Sequence, residues 1–182
     1  MGRIYDELEE PLQQFIRQQK MFFVATATAE GRINLSPKGL DTFRILDSQR
    51  VAWLNLTGSG NETAAHLQTH PRMTIMFNAF EGKPMILRLY GQAKVIHQGD
   101  VEWETAAGLF PEIAGTRQII EMQIESVQTS CGMAVPLYEY QGQRDELVQW
   151  AEKQGKDGIR QYWSDKNQIS LDGIPTKILE RS

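Results

Sequence analysis

The stretch RMTIMFNAFEGKPMILRLYGQAKVIH, residues 72–97, contains the two longest candidate β-strands of the chain, at 72–80 and 85–97. In the second candidate, polar or aromatic residues at 88, 90 and 92 alternate with apolar ones, the pattern of a strand with one buried face. The residues between the two strands, Glu-Gly-Lys-Pro at 81–84, are typical of a turn. Because parallel strands need a crossover of a dozen or more residues, this short connection predicts an antiparallel hairpin.

Shorter elements are predicted on both sides of this hairpin. Candidate strands lie at 22–28, 32–36, 43–46, 51–56 and 118–129, the last with a bulge near 126–127. Candidate helices lie at 9–20, 60–70, 100–109 and 144–154, and a last one starts near 157. Most connections are too short for parallel pairing, and closing the sheet into a barrel would cover its edges. The prediction is one α+β domain over 1–182, a mainly antiparallel barrel with flanking helices and a C-terminal helical extension at about 143–182.

Composition narrows the class of protein. The chain has 182 residues, 41% apolar and 23% charged, which is ordinary for one soluble globular domain. Its net charge of −4 excludes a broadly basic nucleic-acid binder, although not a site for one small anion. A single cysteine excludes an intramolecular disulfide, and no apolar run approaches the roughly 20 residues that span a bilayer. With an acidic, polar start unlike a signal peptide, the chain is expected in the cytoplasm, without membrane or nucleic-acid partners.

The first candidate site is a polar stripe on the predicted strand 32–36. Arg32, Asn34 and Ser36 occupy alternate positions, and Lys38 continues their parity beyond Pro37. A cation with two hydrogen-bonding side chains suits an anionic ligand that carries a ring. The alternative is a strand surface that simply faces solvent.

The second candidate site is the loop Gly58-Ser-Gly-Asn-Glu-Thr63, which leads into a short helix. Free N–H groups and the positive end of the helix dipole attract phosphate at such a position. Ser59 and Glu62 also have the spacing of a capping box, which favours an ordinary capped helix start. The loop lacks the lysine and the glycine spacing of a P-loop.

Other residues give weaker signals. Arg88, at the middle of the long strand, is either a ligand contact or an exposed or ion-paired residue. His66 and His70 have a spacing that can bind metal, yet no third ligand accompanies them, so surface histidines are expected. Cys131 has no surrounding signature of a catalytic cysteine, so a structural or interface role is expected.

Together, several short motifs resemble a known family. They are FFVAT at 22–26, NLSPKG at 34–39, LTGSGNET at 56–63, FEG at 80–82, RLYG at 88–91 and VQTSCG at 127–132. In this order and between predicted strands, they resemble the pyridoxamine 5′-phosphate oxidase-related flavoproteins over about 10–135. The resemblance implies a split β-barrel, a homodimer, and FMN bound at the subunit interface.

The resemblance also implies roles for particular residues. Matching positions would bind the cofactor: Asn34, Ser36 and Lys38 beside the ring and phosphate, Ser59, Gly60, Asn61 and Thr63 in the phosphate loop, Arg88 on a strand lining the same cavity, and Ser130 and Cys131 where the partner subunit approaches the flavin. No general acid or base stands out, and catalytic residues are left unassigned. Chemistry carried by the flavin fits that pattern.

The chain departs from the oxidase members of that family in two places. It ends Ile174-Pro-Thr-Lys-Ile-Leu-Glu-Arg-Ser182 and lacks the basic pair that holds the substrate phosphate, and its loop carries Asn61-Glu62 where the oxidases tend to have Arg-Lys. The expected function is an FMN-dependent oxidoreductase acting on an unidentified small substrate. The alternatives are a deazaflavin-dependent reductase on the same fold and a non-enzymatic binder of flavin or haem.

Overall fold

The computed structural model describes residues 2–181, so the predicted domain limits at 1 and 182 lie outside the described part. Eight strands and four helices follow one another along the chain. They are β1 (Arg3–Tyr5), α1 (Glu10–Gln18), β2 (Phe22–Thr26), β3 (Asn34–Lys38), β4 (Phe43–Ile45), β5 (Arg50–Leu56), α2 (Glu62–His66), β6 (Arg72–Asn78), β7 (Ile86–His97), α3 (Trp103–Ala107), β8 (Thr116–Ser130) and α4 (Glu146–Lys166).

The strands form one antiparallel sheet in the order β3-β2-β6-β7-β8-β5-β4, and β1 pairs with β8 beside this path. The sheet curls into a half barrel around an apolar core, which includes the fully buried Trp53, Ile75, Leu89 and Met122. Because β3 and β4 end the path without pairing to each other, the barrel is split. The predicted fold class, an α+β antiparallel split barrel with flanking helices, is confirmed.

The central hairpin forms as predicted, with β6 and β7 paired from Arg72↔Gln92 to Asn78↔Ile86. The bulge lies close to its predicted place: Tyr90 pairs with Ser126 but Gly91 pairs with Ile124, so Glu125 is the extra residue of β8. Gly91 is required here, because a Cβ on it would stand 1.9 Å from the Gln123 carbonyl oxygen.

Strand β3 begins two residues later than predicted and includes Pro37, which pairs with Phe23. An edge strand tolerates proline because one row of its N–H groups needs no partner in the sheet. Its apolar residues face outward, since Leu35 is 65% exposed and Ile33, just before the strand, is 77% exposed. The interpretation of the polar stripe as a solvent-facing surface is therefore wrong for Asn34, Ser36 and Lys38.

Helix α2 is shorter than predicted and is not closed by a capping box. Its N-cap is Asn61, without a side-chain cap, and the Glu62 carboxylate accepts the Leu171 N–H at 3.1 Å instead. Helix α3 also spans only the middle of its predicted range. In α4, Gly155 has φ 64° and ψ 178° and produces a kink, which separates the two helices that the sequence predicts.

Within residues 2–181, no helix combines the length and the apolar character needed to cross a membrane.

Candidate functional site

Lys38 ends β3 with its side chain inside the barrel. Its Nζ lies 5.0 Å from the centroid of the fully buried Trp53 ring, and an aromatic face attracts a cation. No carboxylate of the described chain forms an ion pair with Lys38. Burial, and secondly the charge of Arg117, lower the pKa of Lys38 from 10.5 to about 8. A bound anion would offset both effects, because a nearby negative charge favours the ammonium form.

Arg117, near the start of β8, is a second cation, and it is buried, with only 4% of it exposed. Its guanidinium donates to the Asn167 Oδ1 at 2.7 Å, the Gly60 carbonyl at 3.0 Å and the Asn55 Oδ1 at 3.3 Å, and all three acceptors are neutral. Its Nε is buried and has no partner within residues 2–181. Burial lowers the pKa of Arg117 to about 9. Within residues 2–181, neither of these two cations has a carboxylate partner.

The loop 58–63 lies against this charge. Ser59 and Gly60 are exposed, whereas Asn61 and Thr63 are buried. The Asn61 Oδ1 accepts from the Asn55 side chain at 3.4 Å, and the Asn61 Nδ2 is buried and unpartnered in the described part of the chain. The loop therefore offers an amide donor that only a ligand or water could use.

Strand β3 and the loop are joined by their side chains. The Asn34 Nδ2 donates to the Thr63 Oγ1 at 3.2 Å. Ser36 pairs with the buried Val24 of β2, and its own Oγ is buried without a partner among residues 2–181. Arg32 does not join them: it lies before the strand, exposed, and pairs with Asp172. The structure thus places the predicted Asn34, Ser36 and Lys38 on the inner face of β3 and brings Asn34 against Thr63 of the loop, while Ser59 and Gly60 are at the surface of that loop.

A large cavity adjoins the two ends of this cluster. Its volume is about 1160 Å³, and its wall includes Lys38, Thr57 and Gly58. The turn 80–82 and the segment 138–144 also line it, and there Phe80 and Tyr138 pack edge to face. Such a volume exceeds the roughly 300–1,000 Å³ of common ligand pockets. A ligand with an anionic end near Lys38 would have room for a large remaining part.

The other predicted residues lie on the opposite face of the sheet. Arg88 alternates with the buried Leu87 and Leu89, so its side chain is on the outer face, where it donates to the Ser130 Oγ at 3.1 Å. Cys131 follows Ser130 and is exposed. Within one chain, these residues do not meet Lys38 or the loop, and their predicted role stays a prediction that involves a second subunit.

The expectation of surface histidines is wrong for His66. It is 1% exposed, and its Nδ1 lies 3.1 Å from the Thr26 Oγ1. It is buried because α2 packs against β2, which a five-residue helix could not reveal by its periodicity. No group of three or more His, Cys, Asp or Glu residues in the described ranges could hold a metal ion.

Sequence reasoning missed Arg117, Asn55 and Asn167. Arg117 meets Gly60 and Asn167 across 57 and 50 residues of sequence, respectively. No spacing rule links positions that far apart. The only indication in the sequence was an arginine at the start of an otherwise apolar strand. A charged residue at such a position is buried only when it has partners.

The fold and the site define an antiparallel split-barrel protein with two cations, Lys38 and Arg117, that have no carboxylate partner in the described chain. The model of the pyridoxamine 5′-phosphate oxidase family matches residues 8–131. The chain is 35% identical to the pyridoxamine 5′-phosphate oxidase family protein ustO of Aspergillus flavus over 196 aligned positions, 96% of this chain and 78% of that protein. This chain belongs to the pyridoxamine 5′-phosphate oxidase family.

Solved structures agree on the fold. HupZ of Group A Streptococcus is 20% identical with a TM-score of 0.51, over 65% of this chain and 90% of that one. A putative pyridoxamine 5′-phosphate oxidase of Lactobacillus delbrueckii is 17% identical with a TM-score of 0.54, over 68% of this chain and 94% of that one. At these identities, the likeness concerns the fold alone.

Proposed function

We propose that this protein binds FMN and is a flavin-dependent oxidoreductase acting on a small substrate. The observation that carries the proposal is a pair of cations, the partly buried Lys38 and the buried Arg117, near the loop 58–63 and without a carboxylate partner in the described chain. A phosphate monoester carries about −1.5 to −2 charges at neutral pH and would balance both. Membership of the family supports the choice of a flavin phosphate.

The donors present fit a phosphate group. The Ser36 Oγ and the Asn61 Nδ2 are buried without partners inside residues 2–181, and unpaired buried donors are costly until something binds them. Glu62, whose carboxylate would repel a phosphate, is engaged with the Leu171 N–H. The Glu62 side chain is thus held at Leu171 rather than at the N–H groups of the loop.

The residues here would bind and orient the cofactor rather than transfer protons. When bound, FMN supplies hydride or electron transfer at its ring. Lys38 and the loop would hold the phosphate end, and the cavity between Thr57 and Tyr138 has room for the remaining part and for a substrate. The aromatic pair of Phe80 and Tyr138 gives that cavity a wall on which a planar ring could pack.

We further propose that the protein is a homodimer. The edge strand β3 exposes Leu35 on the outer face of the sheet, with Ile33 just before the strand. Unprotected strand edges and apolar surface favour association. Arg88 and Ser130 lie on the same outer face, where the second subunit could bring them to the cofactor of its partner.

Titration of the protein with FMN, followed by flavin fluorescence, tests the proposed function. We expect stoichiometric quenching, with riboflavin binding at least tenfold more weakly because it lacks the phosphate. Absence of quenching at high micromolar FMN would contradict FMN binding. A protein that purifies with a Soret band would favour the haem alternative, and a colourless protein that binds a deazaflavin would favour the deazaflavin alternative.

A further inference from the structure

The C-terminal helix touches the loop 57–60 through side chains. The Trp163 Nε1 of α4 donates to the Thr57 Oγ1 at 2.9 Å. Just after the helix, the Asn167 Nδ2 donates to the Gly58 carbonyl at 2.9 Å. These contacts bridge more than 100 residues of sequence and tie the start of the loop to the end of α4.

Asn167 also holds Arg117. It is fully buried, and its Oδ1 accepts from the Arg117 Nη1 at 2.7 Å while its Nδ2 faces Gly58. The side-chain amide of Asn167 therefore binds both Arg117 and the Gly58 carbonyl of the loop. Its own backbone is fixed in turn, because the Asn167 carbonyl accepts from the Thr176 hydroxyl at 2.6 Å.

Arg117 completes the arrangement at the Gly60 carbonyl, to which it donates at 3.0 Å. The carbonyls of Gly58 and Gly60 are therefore both bound by buried donors. A carbonyl oxygen carries partial negative charge and would repel a phosphate if it turned toward one. Because both carbonyls are hydrogen-bonded to buried side chains, neither is free to turn toward the anion site and repel a phosphate there.

We propose that Arg117 and Asn167 are positioning residues of the anion site, and that the C-terminal segment is part of the site for this reason. They hold the Gly58 and Gly60 carbonyls away from the ligand. The charge of Arg117, which no carboxylate of the described chain balances, also attracts the phosphate of the ligand. This inference rests on the proposed function in that the natural ligand is taken to carry a phosphate group.

The test compares FMN and riboflavin affinities across three variants. Arg117→Gln removes the charge, Arg117→Lys keeps it without the forked geometry, and Trp163→Phe removes only the hydrogen bond to Thr57. We expect at least a tenfold loss of FMN affinity in Arg117→Gln, a smaller loss in Arg117→Lys, and a two- to fivefold loss in Trp163→Phe. Riboflavin affinity should change little, so the ratio of the two dissociation constants falls. General destabilisation would leave that ratio unchanged.

Two controls match these changes. Trp150→Phe alters a tryptophan of the same helix that packs on Tyr162, and Arg160→Gln removes a charge from the exposed face of α4. Both should keep the wild-type ratio. A wild-type ratio in folded Arg117→Gln or Arg117→Lys, or in Trp163→Phe, would overturn the inference while leaving the proposed function intact.

A second measurement separates this inference from the identity of the cofactor. Thermal unfolding of the ligand-free protein is followed in sodium phosphate and in sodium chloride of equal ionic strength. We expect phosphate to raise the Tm of the wild type and of Arg160→Gln, but not that of Arg117→Gln. If that pattern holds and FMN does not bind, the proposed function fails and the positioning role stands. Equal Tm of the wild type in both salts would overturn the role.

Discussion

At the scale of single residues, the state of Lys38 is set by two opposing effects. Burial and the nearby charge of Arg117 disfavour its ammonium form, whereas the ring of Trp53 favours it. The pKa of about 8 means that a substantial part of Lys38 is still charged at neutral pH. A phosphate bound beside it would favour the charged form and raise its pKa again.

FMN affinity should therefore depend on pH. Above pH 8, Lys38 of the free protein loses its proton, and binding must recover that proton. We expect the dissociation constant to rise by up to tenfold per pH unit above about 8, with proton uptake visible in calorimetry as a dependence on buffer ionisation enthalpy. Lys38→Gln should bind more weakly and lose this dependence between pH 8 and about 9, below the pKa of Arg117. An affinity that stays constant between pH 7 and pH 9.5 in the wild type would rule out Lys38 as a phosphate contact.

The placement of a site residue could be predicted only where the other residues of the site are close to it in the sequence. The alternation of Asn34, Ser36 and Lys38 placed them on one face, and the structure places that face inside the barrel. Glu62 could not be interpreted correctly, because its partner, Leu171, is 109 residues away. Arg117 was missed for the same reason.

At the scale of elements, the bulge between β7 and β8 depends on a glycine. Gly91→Ala would place a Cβ 1.9 Å from the Gln123 carbonyl oxygen, so the strands must separate locally. We expect a loss of unfolding free energy on the order of 3 kcal/mol, measured by urea denaturation. Gly108→Ala, where the nearest backbone atom is 3.4 Å away, is the control and should change stability by less than about 1 kcal/mol. Equal effects of the two substitutions would mean that the bulge is wrongly placed.

Elements were predictable where their periodicity is long enough to be seen. The alternation in β7 and the short connections predicted the antiparallel sheet correctly. Strand β1 was missed because three residues carry no periodicity and its formation depends on pairing with β8. The outward Leu35 of β3 could not be recognised either, since alternation identifies two faces without saying which is inside.

At the scale of the whole molecule, the sheet divides the candidate residues between its two faces. Lys38 is on the inner face, near the loop whose Asn61 and Thr63 are buried, and Arg88 and Ser130 are on the outer face. In a homodimer, residues on the outer face of one subunit could contribute to the cofactor site of its partner. The sequence could indicate the residues of both groups. It could not show that they lie on opposite faces of the sheet, because that depends on the register of several strands.

Association of two chains should therefore be measurable. We expect a dimer of twice 20.7 kDa in analytical ultracentrifugation at micromolar concentration. Leu35→Arg should give a folded monomer, because it places a charge on the exposed apolar edge of β3. Val101→Arg, at a position that is 95% exposed between β7 and α3, is the control and should remain dimeric. A stable wild-type monomer would contradict the homodimer.

The central claim is that the buried charge of this barrel binds a flavin through its phosphate. Its most direct test is the ratio of the riboflavin and FMN dissociation constants, measured by calorimetry at pH 7 for the wild type and for Lys38→Gln. We expect a ratio of at least ten in the wild type and a ratio that falls about tenfold in Lys38→Gln, with riboflavin binding little changed. Equal affinities for FMN and riboflavin in the wild type would contradict the claim.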